Sequence, residues 1–424
     1  MSKGKIKLIE GIYPISVVDA IKIGDGTNKT LKQELNEIKK QGGGSVNGAK
    51  IDDKSVQPSS STVWSSSKVD AQIKKDRAGI YNPLYINTPC GSNEPYHPSV
   101  VYIPDGFNGY KFWMVQTPYP IMFEGEAYGR EPYEDPCIHC SNDGIDWYIP
   151  SGLTNPIDDG TGYFSDGHLV YRKDIKQLEC WYRQTTNGTT YIYRKTSQDG
   201  VVWSDRDLIL DINTSSLDNM VRSQAVIWDN TDKVYKMWWV DKQRDVAYSY
   251  SQDGKTWAAK KVVTPSDKKN DIWHLDVCFG NGRYYLTTYG NGKLDIYSSA
   301  NETNFSWISE ALCVSSNEVE FWSKKLYRAC MLKVGTDWRM YFSAETAERS
   351  SVGLMVGDHP ITLRVVNGNY NMQKQAYHKG IEIVNTSQIS SEIILTDKGT
   401  CIGVDYEDER VYIKKSDGSK FYLE

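Results

Sequence analysis

Ser141-Asn-Asp-Gly-Ile-Asp-Trp147, Ser197-Gln-Asp-Gly-Val-Val-Trp203 and Ser251-Gln-Asp-Gly-Lys-Thr-Trp257 are three copies of one pattern, Ser-x-Asp-Gly-x-x-Trp. A degenerate fourth, SANETNFSW, ends at Trp307, and the four tryptophans are separated by 56, 54 and 50 residues. Asp-Gly suits a tight turn with a positive φ between two strands, after which the Trp returns to pack on the sheet. Fixed periods of this length, each holding several short strands, are the signature of propeller blades.

Working outward, each repeat holds a matching run of alternating or apolar residues: YKFWMV (110–115), LECWYR (178–183), YKMWWV (235–240), YYLTTY (284–289) and WRMYFS (338–343). First strands precede them in SVVYIP, HLVYRK, AVIWDN, DVCFGN and ACMLKV, and third strands follow in DPCIHCS, TTYIYRKTS, DVAYSYS, KLDIYSS and SVGLMVG. Five sets predict a mainly β chain with a five-bladed propeller over 79–365. Blade five lacks an outer strand of its own. The orphan segment LYINTPC (84–90), ahead of blade one, is expected to complete it and so leave no bare strand edge.

The flanks read differently. In TLKQELNEIKK, residues Leu31, Leu35 and Ile38 form a short coiled-coil seam, ended by Gln41-Gly-Gly-Gly-Ser45. A second short helix is expected in WSSSKVDAQIKK, with Val69 and Ile73 on one face. Helices so short need partners, so residues 1–78 are expected to form an oligomerising helical stalk. The runs SEIILTD, TCIGVDY, RVYIKK and KFYLE predict a small C-terminal β module over 366–424.

Composition narrows the field. The 424 residues include 29 Tyr, 13 Trp and 9 Phe, which suits both a packed all-β protein and a sugar-binding surface. A net charge of −5 gives no reason to expect nucleic acid or an anionic membrane as partner. No run of 18 apolar residues suggests a membrane span, and the basic N-terminus lacks the apolar region of a signal peptide. Only Cys137-Ile-His-Cys140 has metal-ligand spacing, with no second pair to complete a zinc site, so buried thiols are expected there and no metal or cofactor.

With the Ser-x-Asp-Gly-x-x-Trp repeats and the blade-one stretch TPYP (117–120) leading to Glu134-Asp135-Pro136, the array resembles the five-bladed domains of furanosidase-type glycoside hydrolases. Together with IKIGDGTNKTLKQELNEI and STVWSSSKVDAQI in the stalk, it is also similar to receptor-binding tail-fibre proteins of phages that infect staphylococci and related hosts. The first resemblance implies an Asp on blade one, an orienting Asp on blade two and a Glu acid on blade three. Blade one instead offers His97, blade two Asp166, and blade three Arg222 and Ser223. The repeat aspartates Asp143, Asp199 and Asp253 belong to peripheral turns and are expected to bond local backbone.

Ligands of propellers bind at the channel mouth. Aligning the first strands on VVY, LVY, VIW and VCF brings His97, Asp166, Ser223 and His274 into register, with Tyr327 the simplest equivalent on blade five. His168, Arg222, Trp273, Asp276 and Glu320 are candidates at the same level, beside Glu94, Tyr96 and Glu318. Any one of them could instead serve blade hydrogen bonds. Since the carboxylate triad is not reproduced, the expectation is a non-enzymatic receptor-binding protein of a virion, made without a signal peptide. The phage resemblance implies adsorption to wall teichoic acid as a homotrimer among other tail or baseplate proteins. The alternatives are a cell-wall glycan hydrolase, with Asp166 and Glu320 as its carboxylate pair, and a purely structural fibre.

Overall fold

The computed structural model describes residues 80, 82–121 and 133–366 in full, with the backbone of short strand segments at 50–51, 62–63, 122–123 and 126–127 and between 377 and 422. The chain divides into two compact units, 1–78 and 79–424.

The larger unit contains five antiparallel sheets in chain order. Blade one is Pro95–Phe107, Tyr110–Pro118 and Cys137–Ser141, extended by a bridge from Cys140 to Tyr148. Blade two is Tyr163–Arg172, Gln177–Thr186, Thr189–Ser197 and Asp207–Asp211. Blade three is Arg222–Asp229, Val234–Val240, Val246–Ser251 and Lys261–Val262. Blade four is His274–Gly280, Arg283–Gly290, Lys293–Ser299 and Ser306–Cys313. Blade five is Lys325–Val334, Asp337–Glu345, Ser350–Gly357 and Arg364–Val365. In every blade the strands follow one another as a meander. This is a five-bladed β-propeller.

The cores lie between the blades. Successive residues of a strand point to opposite faces, so adjacent side chains on one strand enter different cores. Trp238 packs with Leu275 and Leu286 of blade four, while Trp239 packs with Trp181 and Val170 of blade two. Equivalent cores join blades one and two around Trp113 and Phe164, and blades four and five around Tyr285 and Trp338. The fifth joins blades five and one through Leu354, Val352, Phe112 and Met114.

The repeat motif serves these interfaces. Asp199 Oδ1 accepts hydrogen bonds from the backbone N–H of Val201 and Val202, both at 2.8 Å, which holds the turn. Gly200, at φ +76°, lies flat against the neighbouring blade: a Cβ there would sit 2.2 Å from the ring of Trp113. Asp143 and Asp253 make the same backbone bonds, and Asn301 takes their place in the degenerate repeat. The repeat aspartates are thus structural, as their spacing predicts.

Ring closure involves the orphan segment, with one difference. Leu84 N–H donates to Val352 O at 2.8 Å, and Asn82 exchanges hydrogen bonds with both backbone groups of Leu354. Asn87 O meets His139 Nε2 of blade one at 2.9 Å, and Ile80, Leu84 and Ile86 fill the core between blades five and one. The segment is not a regular strand, because Arg364–Val365 occupies the other end of the same blade edge.

The helical stalk is not supported. The described part of 1–78 is a parallel strand pair, Lys50–Ile51 with Thr62–Val63. The helices expected around Leu31, Leu35 and Ile38 and around Val69 and Ile73 lie outside the described residues. Among the described residues there is no α-helix, and Pro360–Thr362 forms a 3₁₀ turn. Toward the C-terminus, Glu392–Ile394, Cys401–Asp405, Arg410–Lys414 and Lys420–Tyr422 form a four-stranded antiparallel meander over the four alternating runs.

Candidate functional site: a His–Asp–His cluster at the channel mouth

The inner strands of blades one, two, three and five each break register at the mouth end, between Tyr96 and Ser99, Ser165 and His168, Arg222 and Ala225, and Leu326 and Ala329. A bulge inserts an extra residue and re-aims its side chain. His97, Asp166 and Ser223 occupy the bulges with φ of 49°, 56° and 53°. A positive φ is unfavourable for such residues, and strain of this kind gathers at functional sites. Blade four runs into the same level without a bulge and begins at His274.

The bulges bring His97, Asp166 and His274 together, with one ligand atom from each within 4.8 Å of the others. All three are buried. Asp166 Oδ2 accepts from Ser223 N–H at 3.1 Å and pairs with Arg183 Nε at 3.0 Å, leaving Oδ1 without a hydrogen bond, 3.6 Å from His274 Nδ1. His97 Nδ1 contacts Thr117 Oγ1 at 2.9 Å and Glu134 Oε1 at 3.1 Å, leaving Nε2 buried and unpartnered. Neither ring nitrogen of His274 has a hydrogen bond.

Leaving a buried donor or acceptor unsatisfied costs about 1–3 kcal/mol each. His97 Nε2, Asp166 Oδ1 and one ring nitrogen of His274, gathered within 4.8 Å of one another, have the geometry of a cation site. Two imidazoles and one carboxylate suit zinc or another first-row divalent ion better than calcium, which prefers oxygen ligands. The electrostatics agree. Burial holds His274 well below its usual pKa against the opposing pull of Asp166, so its ring is neutral and able to ligate. Burial opposes ionisation of Asp166, but the Arg183 and Arg328 guanidiniums hold its carboxyl well below the usual range. Glu134, buried behind His97, fixes that ring in the carboxylate–histidine arrangement common behind metal ligands.

An aromatic and basic rim surrounds the trio. Tyr327 lies edge-on to His274, ring centres 4.1 Å apart, and its hydroxyl accepts from Trp273 Nε1 at 2.9 Å. Burial raises the Tyr327 pKa, so the phenol stays protonated with its O–H free to donate. Tyr96 stacks between Tyr119 and Tyr327, at 5.2 and 5.4 Å. Arg222 lies over the Trp273 ring; burial lowers its pKa, and Arg183 lowers it further.

One layer deeper, His168 Nδ1 lies 3.5 Å from Asp276 Oδ1 and 3.4 Å from Arg328 Nη2, and His168 Nε2 meets Val226 O. Below them a cavity of about 360 Å³ is lined by all five inner strands, including Val100, Leu169, Val226, Val277 and Met331. Of the expected mouth residues, then, His97, Asp166, Ser223 and His274 meet, Arg222 and Trp273 form the rim, and His168 and Asp276 sit deeper. Glu320 lies in a turn, its N–H donating to Asn317 O and its carbonyl accepting from Ser323 N–H. First strands alone do not reveal Thr117 and Arg183, which come from second strands, or Glu134, which leads into the third strand of blade one. Cys137 and Cys140 are free buried thiols.

No family model matches the chain. A curated N-acetyl-α-D-galactosamine deacetylase acting on type A blood antigen, from Flavonifractor plautii, is 26% identical over 243 residues, covering 46% of this chain and 30% of that protein. The matched stretch thus spans under a third of that relative. Among solved structures, an N-acetylgalactosamine deacetylase from F. plautii in complex with blood group B trisaccharide superposes with a TM-score of 0.55 at 18% identity, covering 66% of this chain and 94% of that one. A β-xylosidase/α-arabinofuranosidase from a compost metagenome gives 0.46 at 12% identity, covering 64% and 94%. These findings correct the expectation of a non-enzymatic phage receptor-binding protein. The curated relative is a named enzyme, and a metal-type cluster stands where the sequence suggests a lost carboxylate triad.

Proposed function

We propose that the propeller is a metal-dependent glycan hydrolase that removes the acetyl group from an N-acetylated sugar at the channel mouth. The observation that carries this is the convergence of His97 Nε2, Asp166 Oδ1 and His274 as buried, unbonded ligand atoms. The deacetylase activity of the relative supports the choice of reaction.

A divalent cation held by His97, Asp166 and His274 would supply Lewis acidity toward the amide carbonyl and toward water. The remaining work falls to the chain itself. Glu134 and Thr117 hold His97 so that Nε2 faces the trio. Ser223 N–H and Arg183 fix Asp166 so that Oδ1 does the same. The Tyr327 O–H, oriented by Trp273, is placed to donate to an oxygen on which negative charge develops. Tyr119, half-buried and backed by the buried ring of Tyr96, offers an apolar ring to a sugar and limits water around the amide.

Cleavage of a glycosidic bond is less well supported, because it needs two carboxyls free to act across the sugar. Of the buried carboxylates at the trio, Asp166 is held by Arg183 and Glu134 by His97. The test is incubation with N-acetylhexosamine-containing oligosaccharides, following free acetate and product mass. Acetate release with intact glycosidic bonds supports the proposal. Shortened chains with acetyl groups retained would overturn it.

A further inference from the structure

The rim of the trio carries a positive patch whose charges are incompletely paired. Arg222 Cζ lies 4.1 Å and Arg244 Cζ 4.8 Å from the centre of the Trp273 ring. Trp273 is itself anchored, by Nε1 to Tyr327 and by its backbone N–H to Tyr289 O. Among the described residues Arg222 makes no ion pair: Nη2 rests against the Met220 sulfur at 3.1 Å, a weak acceptor, and Nη1 is buried without any partner. Arg244 pairs with Asp271 at the surface, where both side chains are more than 40% exposed. Arg183, the third guanidinium, is committed to Asp166.

Bringing like charges together and removing one of them from water without a counter-charge is costly. A rigid, stacked guanidinium with a free, inward N–H is also what bidentate recognition of an oxyanion requires. The location is specific. Arg222 directly precedes Ser223, whose N–H holds Asp166, and Trp273 directly precedes His274. Any group bound by Arg222 therefore lies beside the reacting amide.

Resting on the deacetylase reading, we infer that Arg222 and Arg244, braced by Trp273, form a subsite for a negatively charged substituent of the substrate. The preferred substrate is an N-acetylated sugar that carries, or adjoins a residue carrying, a phosphate or a carboxylate. Trp273 serves here to hold the two guanidiniums.

The experiment uses the full chain, stripped of metal by chelation so that no cation contributes to anion binding. Affinities are measured calorimetrically at low salt for N-acetylglucosamine, N-acetylglucosamine 6-phosphate, and a disaccharide of N-acetylglucosamine and glucuronic acid. At least one charged ligand should bind about tenfold or more tightly than the neutral sugar, with the advantage shrinking as salt rises. Which charged ligand gains identifies phosphate or carboxylate as the source. The advantage should fall severalfold in Arg244→Gln, a surface change, and vanish in Arg222→Gln. Equal affinity for charged and neutral sugars, or an advantage that survives both substitutions, would overturn the inference. Absence of acetate release by the metal-loaded protein would sink the deacetylase reading alone, because the binding comparison needs no turnover.

Discussion

Asp166 Oδ1 and His274 Nδ1 face each other across 3.6 Å at the channel mouth, although Asp166 lies on blade two and His274 on blade four. Asp166 is clamped from behind by Arg183 and has Arg328 Nη1 3.8 Å from Oδ1, whereas His274 has no hydrogen bond at all. The two residues should therefore answer mutation differently.

Asp166→Ala leaves the buried Arg328 and the half-buried Arg183 without their counter-charge. Breaking a buried pair by removing one partner costs about 3–5 kcal/mol. Chemical denaturation should show a loss of that order, against a much smaller loss for His274→Gln, which breaks no hydrogen bond.

Ring closure depends on Asn82. Its side chain donates to Leu354 O and Val366 O and accepts from Leu354 N–H, tying the start of the propeller to its last blade. Asn82→Leu should lower stability by about 2–4 kcal/mol, the net worth of three partly or fully buried bonds plus the backbone groups left unsatisfied. Stability within a few tenths of a kcal/mol of wild type would show that the closure rests on the apolar contacts of Ile80, Leu84 and Ile86 alone.

The turn glycines are interface residues. Gly200→Ala forces a Cβ into the Trp113 ring at a positive φ, which should cost more than the ~1–2 kcal/mol of the left-handed conformation by itself. Because the turn is peripheral, metal content per folded chain should stay unchanged in this variant.

His139 makes stability depend on pH. Burial lowers its pKa from 6.5 to about 4, so the unfolded chain binds the proton more readily than the folded one. Its contribution is fully present above pH 6.5 and is lost as pH falls from there toward 4. A shift of this size corresponds to roughly 3 kcal/mol. Asp135, raised to about 7 chiefly by burial, acts in the opposite direction over pH 4 to 7. The melting temperature of His139→Gln should therefore fall less steeply between pH 7 and 4.5 than that of wild type.

Much of the fold can be read from the repeat, because Asp, Gly and Trp each have a physical task in three of the turns, and Asn301 takes over the Asp role in the fourth. The mouth is legible for a related reason. The strands share an apolar core, so His97, Asp166, Ser223 and His274 fall into register from the amino-acid pattern alone. What the first strands cannot reveal is the support behind them, in Thr117, Glu134 and Arg183, since these come from other strands and a long blade-one excursion. The correction to the function has one source. Alone on its strand, His97 in place of an expected Asp reads as a lost carboxylate. Placed beside His274 and Asp166, it becomes one arm of the cluster on which the proposed cation site rests.

The most direct test of the central claim is calorimetric titration of the chelator-treated full-length protein with zinc, alongside His274→Gln. The account predicts about one site per chain in wild type, with affinity reduced by two orders of magnitude or more in the variant, as loss of a direct ligand requires. Absence of binding in a folded wild-type protein, or equal binding by the variant, would contradict a cation site built from His97, Asp166 and His274.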